Sequence, residues 1–152
     1  MIICGIDVGK KGAVGFINTS NGNATVHDMP YIKDEVDACQ LREYLMWLNP
    51  SVIWIEKVHS MSGQGVRSMF TFGRSFGATV AVARLTGIPV EFVIPQVWKP
   101  AVGIPPKSDK KYGLRLAREL FPDVDLHWES KDGRADALLI AAYGRKVLEE
   151  RS

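Results

Sequence analysis

The chain opens with apolar runs separated by glycine- and asparagine-bearing turns. Residues 2–8 (IICGIDV) are apolar except for an acid near the end. Residues 12–18 (GAVGFIN) follow the turn Gly9-Lys10-Lys11-Gly12, so the pair predicts a β-hairpin. Asn21-Gly22 marks another turn before Asn23–Met29, which extends the hairpin into a three-stranded antiparallel meander. The period then changes. Leu41, Tyr44, Leu45 and Leu48 recur at helical spacing and predict an amphipathic helix over 36–48, with Asp34 as its N-cap and Asn49-Pro50 as its stop. Residues 51–56 (SVIWIE) are nearly all apolar, as a central strand buried on both faces would be, and they too end in an acid.

After a glycine-bearing loop over 60–65, Val66 to Leu85 forms a long apolar-rich stretch in which Gly73 and Gly77 stand four apart. Small residues at that spacing let another helix approach closely, so a buried helix is predicted, closed by Gly87. A last strand is expected over 89–94, a short helical turn within 95–103, and two final helices at 108–121, stopped by Pro122, and 133–150. The order βββαβαβαα describes one domain, 1–152, built on a mixed five-stranded sheet flanked by helices, an α/β architecture.

Composition narrows the class further. With 152 residues, 46% hydrophobic and 24% charged, the chain can bury a core without disulfides or a structural metal. Cys4 and Cys39 are far apart and belong to no Cys/His cluster, which points to a reducing compartment. No apolar run reaches the roughly 18 residues of a membrane span, and the opening MIICGIDVGK lacks both a basic n-region and a cleavage site, so a cytoplasmic location is expected. The net charge of +2 conceals an asymmetry: ten basic residues but only Glu91 and Asp109 as acids lie between Lys57 and Arg118. A basic middle of this kind suits a polyanion, although a merely solvated surface would look the same.

The acids supply the candidate chemistry. Asp7 and Glu56 end two strands that, as neighbours in a mixed sheet, would project both carboxylates from one edge, where open α/β sheets place their sites. Asp132 and Asp136 open the last helix four residues apart, on one face, and that face continues with Leu139, Ile140 and Tyr143 toward the core. Asp132 also reads as a helix N-cap. Carboxylates gathered this way repel one another unless a cation lies between them. Mg2+ or Mn2+ suits an all-oxygen donor set, and two such ions about 3.5–4 Å apart can promote phosphodiester hydrolysis.

The strand and turn GIDVGKKGAVGF, the acid in IWIEKV, the glycine-bearing helix that follows and the closing DGRADALLIAAYG together resemble the RuvC family of Holliday-junction resolvases. The stretch EKVHSMSGQGVRSMFTFGRSFG and the motif PQVWK are similar to the RuvC-like branched-DNA nucleases of bacteriophages and prophages. The resemblance spans essentially the whole chain and implies a ribonuclease H-like fold. It maps Asp7, Glu56 and Asp136 onto three metal-binding acids. The fourth acid of the bacterial pattern falls at Gly133, so Asp132 stands in as the substitute. A lysine-bearing loop matches Lys107 to Lys111, within which Lys107 or Lys110 would act at the scissile phosphate. An aromatic wedge of the bacterial enzymes is replaced here by His59. The helix over 66–85 would pair two subunits, which implies a homodimer with two active sites on opposed strands.

The expected activity is therefore a metal-dependent, structure-selective endonuclease acting on Holliday junctions, Y-forks or flaps. Lys57, His59, Arg67, Arg74, Lys99, Lys107, Lys110 and Lys111 are the candidate DNA contacts. Trp98 beside Lys99 reads either as core or as a surface that packs on the sugar-phosphate backbone. If phage-encoded, the protein would work in the bacterial host cytoplasm. Two rivals remain: a noncatalytic branched-DNA-binding protein, and an ATPase or sugar-kinase-like phosphotransferase, which shares the opening strand but needs a second phosphate-binding motif.

Overall fold

The computed structural model describes residues 1–59, 62–126 and 133–152. Strands β1 (Ile2–Asp7), β2 (Ala13–Asn18) and β3 (Ala24–Asp28) form the antiparallel meander. A two-residue hairpin, β4 (Tyr31–Ile32) with β5 (Glu35–Val36), comes next and leads into helix α1 (Ala38–Leu48). Strand β6 (Val52–Glu56) lies parallel to β1, and after helix α2 (Val66–Leu85) strand β7 (Val90–Val93) lies parallel to β6. Helices α3 (Pro95–Ala101), α4 (Tyr112–Leu120) and α5 (Gly133–Arg151) complete the chain. The main sheet runs β3-β2-β1-β6-β7, so the meander stands on one side of β1 and the parallel pair on the other.

The period-2 alternation of the strands divides the core into two layers. Cys4, Ile6, Ile53 and Ile55 face α1 and α2, with Leu41, Leu45, Val80 and Ala83 packed against them. Ile3, Ile17, Val52 and Trp54 face the other way, onto α3, α4 and α5. Asp7 shares the parity of Ile3, and Glu56 that of Trp54, so both acids are directed to the α5 side. Helix α5 can lie against the sheet only because the sheet offers no side chains beneath it. A Cβ built at Gly5 would collide with the backbone of Ala137 and Ala141, and one at Gly15 would press on Leu138. At the start of α5, a Cβ at Gly133 would collide with the Lys11 carbonyl. Arg134 then clamps that end to β3: Nε donates to Asp28 Oδ1 at 2.7 Å and Nη2 to Oδ2 at 3.0 Å.

Several expectations change. The N-cap of α1 is Asp37, whose side chain accepts the Gln40 N–H at 3.0 Å; Asp34 instead sits in the β4–β5 turn, an element too short for alternation to signal. Asn49 ends α1 in the left-handed region, with φ at 45°, as the Asn-Pro stop suggests. The helix expected from 108 starts at Tyr112, because Ser108 and Asp109 are used in the preceding turns. The short helical turn is a helix of its own, α3. Helix α2 has the expected bounds but is not buried along its length. Its first turns stand clear of the core, with Val66 85% and Phe70 68% exposed, and none of the described residues lies against Gly73 or Gly77.

The contact between α5 and β1 leaves no room for a methyl group at Gly5. Gly5→Ala should cost about 3 kcal/mol, since overpacking against backbone cannot be relieved by a rotamer change. Urea denaturation of the two proteins measures this.

Candidate active site

In the register of β1 with β6, Ile6 stands opposite Ile55, so the next residue on each strand is an acid, Asp7 and Glu56. Neighbouring strands lie about 4.8 Å apart, which brings the two carboxylates side by side on the α5 face. Asp136, in the first turn of α5, faces the same edge: it lines a notch with Asp7 and the Gly9–Gly12 turn. Asp136 also lines a cleft of about 550 Å³ on its other side, together with Lys99, Lys107 and Lys110. The tertiary structure thus sets Asp7 and Glu56 at neighbouring strand ends and Asp136 beside Asp7, with three lysines lining the cleft that Asp136 shares. Asp132 lies outside the described residues.

Glu56 is 8% exposed and takes part in no salt bridge among the described residues. Its partner is neutral: Trp98 Nε1 donates to Glu56 Oε2 at 2.5 Å from a fully buried ring. Burial raises the Glu56 pKa above the ordinary carboxylate value, while the indole N–H and the charge of Lys99 oppose that rise. Lys99 Nζ stands 5.6 Å from the Trp98 ring centroid, so a cation, an aromatic ring and a buried carboxylate follow one another. Trp98 therefore belongs to the core and also supports the site. Burial of a tryptophan could be expected from sequence, but its bond to an acid 42 positions away could not.

The remaining candidates are spread around this edge. Lys107 adopts a left-handed backbone, with φ at 58°, in the loop that walls the cleft. Lys111 precedes α4, and its N–H is donated to Asp109 Oδ1 at 2.9 Å. Lys57 and His59 are exposed beyond the end of β6, and His59 lines a small pocket with Phe72 and Phe76 of α2. Arg67 and Arg74 line a separate groove, which shares the Gly9–Lys11 turn with the Asp7–Asp136 notch. Arg74 also reaches the hairpin, donating to the Asp34 carbonyl at 3.0 Å.

Among the described residues, no group of three or more histidine, cysteine or carboxylate side chains is gathered closely enough to hold a metal ion. The donor chemistry nevertheless suits a hard divalent cation. The acids offer only oxygen, and Glu56 is a buried carboxylate opposed by a neutral donor rather than by a fixed cation.

No family model matches the sequence, and no curated protein does. Solved structures do match. Thermus thermophilus RuvC in complex with a Holliday-junction substrate superposes with a TM-score of 0.76 at 18% identity, over 99% of this chain and 96% of that one. The yeast mitochondrial Holliday-junction resolvase Ydc2 has a TM-score of 0.56 at 18% identity, over 97% of this chain and 80% of that one. The fowlpox virus resolvase in complex with Holliday-junction DNA has a TM-score of 0.55 at 17% identity, over 95% of this chain and 99% of that one. The chain accordingly has the ribonuclease H-like fold of the RuvC-type resolvases. The mixed sheet with flanking helices expected from the sequence is the observed one, with the β4–β5 hairpin and α3 as additions.

Glu56 also makes stability depend on pH. Its pKa is higher in the folded than in the unfolded chain, so the native state holds that proton more tightly. The associated stability is present below the ordinary glutamate value, about 4.3, and is lost as pH rises through the folded pKa. In buffer without divalent cations, Glu56→Gln should therefore melt above the wild type at neutral pH, with the difference shrinking toward pH 4. Thermal melts across that range test it.

Proposed function

We propose that the chain is a single-domain, metal-dependent endonuclease that cuts branched DNA by hydrolysing phosphodiester bonds. The observation that carries this reading is the placement of Asp7, Glu56 and Asp136 on one side of one sheet edge. Three lysines border that edge, in a fold shared with resolvases that have been seen with junction DNA. Asp7, Glu56 and Asp136, with Asp132 four residues before the last of them, would hold Mg2+ or Mn2+, most simply as a pair. Such ions activate water and stabilise the leaving oxygen when bound.

The protein's own residues do the rest. Lys107 or Lys110, across the cleft from Asp136, fixes the scissile phosphate and balances the charge that builds on it. The water oxygen gives up a proton to solvent and bonds to phosphorus as the bond to the leaving sugar oxygen breaks, and the leaving oxygen takes up a proton from solvent. Trp98 holds the Glu56 carboxylate in one orientation throughout. Lys57, His59, Arg67, Arg74, Lys99 and Lys111 contact the backbone of the DNA arms, where they position rather than read sequence. Selection of branch points then rests on DNA shape and deformability.

We further propose that two copies pair through α2. Val66, Phe70, Gly73, Gly77 and Ala81 follow one face of that helix and are exposed, with the glycines leaving room for a second helix. A dimer would present two sites to opposed strands of a junction. Among the described residues, no helix is long and apolar enough to cross a membrane, and we place the protein in the cytoplasm with its DNA.

Cleavage of labelled four-way junctions, Y-forks and linear duplex tests the activity. The wild type should make paired nicks near the branch with Mg2+ or Mn2+ and none with EDTA. Asp7→Asn should lose at least about 10³-fold in rate, on the scale of removing one essential electrostatic group, while still binding the junction. Tight binding without cleavage under every metal would instead favour a binding module. Phe70→Glu should convert a dimer to a monomer in sedimentation velocity and abolish the pairing of the nicks.

A further inference from the structure

Asp34, displaced from its expected capping role, stands among cations. Lys10 Nζ bonds to Asp34 Oδ1 at 2.9 Å, and Arg74 Nη2 donates to the Asp34 main-chain carbonyl at 3.0 Å. Arg74 Nη1 also lies 3.7 Å from Glu35 Oε1. Lys10, Asp34, Arg67 and Arg74 line one groove of about 900 Å³. The hydrogen bond from Lys10 and its charge, with the charges of Arg74 and Arg67, hold the Asp34 carboxyl below its ordinary pKa. The groove adjoins the catalytic edge across one turn, because Lys10 and Lys11 also wall the notch of Asp7 and Asp136.

We propose that Lys10, with Arg67 and Arg74 in the same groove, forms a seat for a DNA backbone phosphate next to the active site, and that the Asp34 carboxylate occupies the Lys10 side of this seat in the free protein. The proposal rests on the nuclease reading above. A carboxylate and a phosphodiester are both monoanions with two accepting oxygens, so Lys10 can receive either, with Arg67 and Arg74 lining the same groove. Exchange is cheap. The Lys10 and Asp34 side chains are 65% and 76% exposed, and solvent screening leaves an ion pair of that kind weak. The hairpin need not leave for the exchange to occur. Tyr31 Oη donates to Ser75 Oγ at 2.9 Å and Arg74 holds the main chain at Asp34, so the Asp34 side chain alone can swing away. In the free protein the occupied seat lowers the affinity for any passing phosphate. DNA that also engages the lysine cleft across the active site supplies enough further contact to displace it.

The test is binding of the 152-residue chain to a labelled four-way junction at low salt, without divalent cations so that the DNA stays intact. Asp34→Asn should tighten binding about threefold, the equivalent of one exposed ion pair. Glu150→Gln, which removes an equal charge from an exposed position near the end of α5, is the control and should have a smaller effect. Lys10→Gln should weaken binding and reduce the slope of log affinity against log salt by about one. In a Lys10→Gln, Arg67→Gln background the gain from Asp34→Asn should fall to that of the control. Equal gains from Asp34→Asn and Glu150→Gln, or an Asp34→Asn gain that persists in the double variant, would overturn the seat while leaving the nuclease reading standing. A wild type that binds no junction at all would overturn that reading and the seat with it.

Discussion

Close approach of α5 to the strands beneath it is the constraint on which the rest of the molecule depends. The helix meets β1 and β2 backbone to backbone, because Gly5 and Gly15 present no side chains and Ala137 and Ala141 present only methyl groups. Depth of packing here is also depth of the site. Were α5 lifted by the width of a larger residue, Asp136 would rise with it, away from Asp7 and from the notch they now share. The Arg134 fork to Asp28 and the tight fit of Gly133 over the Lys11 carbonyl hold the same end of the helix from two further directions. Stability and function therefore draw on the same contacts.

Around this fixed point the charged groups are arranged by burial. Glu56 is the deepest of the described acids, and its energetic cost is offset by one indole hydrogen bond and the nearby charge of Lys99 rather than by an ion pair. That arrangement leaves the carboxylate ordered yet short of positive charge, a state that favours a divalent cation. The lysines of the cleft and the arginines of the groove are exposed, where water screens them and a polyanion can reach them. A buried, rigid centre with a solvated basic rim suits a reaction that needs accurate geometry at one phosphate and tolerance of shape everywhere else.

The hairpin between β3 and α1 adds an acidic element to an otherwise basic edge. Asp34 and Glu35 face Lys10 and Arg74, so part of the cationic surface counted along the sequence is already engaged within the fold. Charge along a chain therefore overstates the charge available to a ligand. The exposed face of α2 shows the converse, since apolar residues that suggested a buried helix are left uncovered.

Much of this was legible in the residues alone. Alternation and turn chemistry are local, so the meander, the buried β6, α1, α2 and the last helix were readable within a few residues, as were Asp7 and Glu56 as acids closing apolar strands. Helical spacing was enough to turn Asp136 toward the core. What the sequence could not convey is distance between segments remote along the chain. The parallel register that sets Asp7 beside Glu56, the reach of Trp98 to Glu56 and the capture of Asp34 by Lys10 each join residues at least 24 positions apart. The physical reason is that periodicity reports which face a residue occupies, whereas only the packing of those faces decides what it meets there.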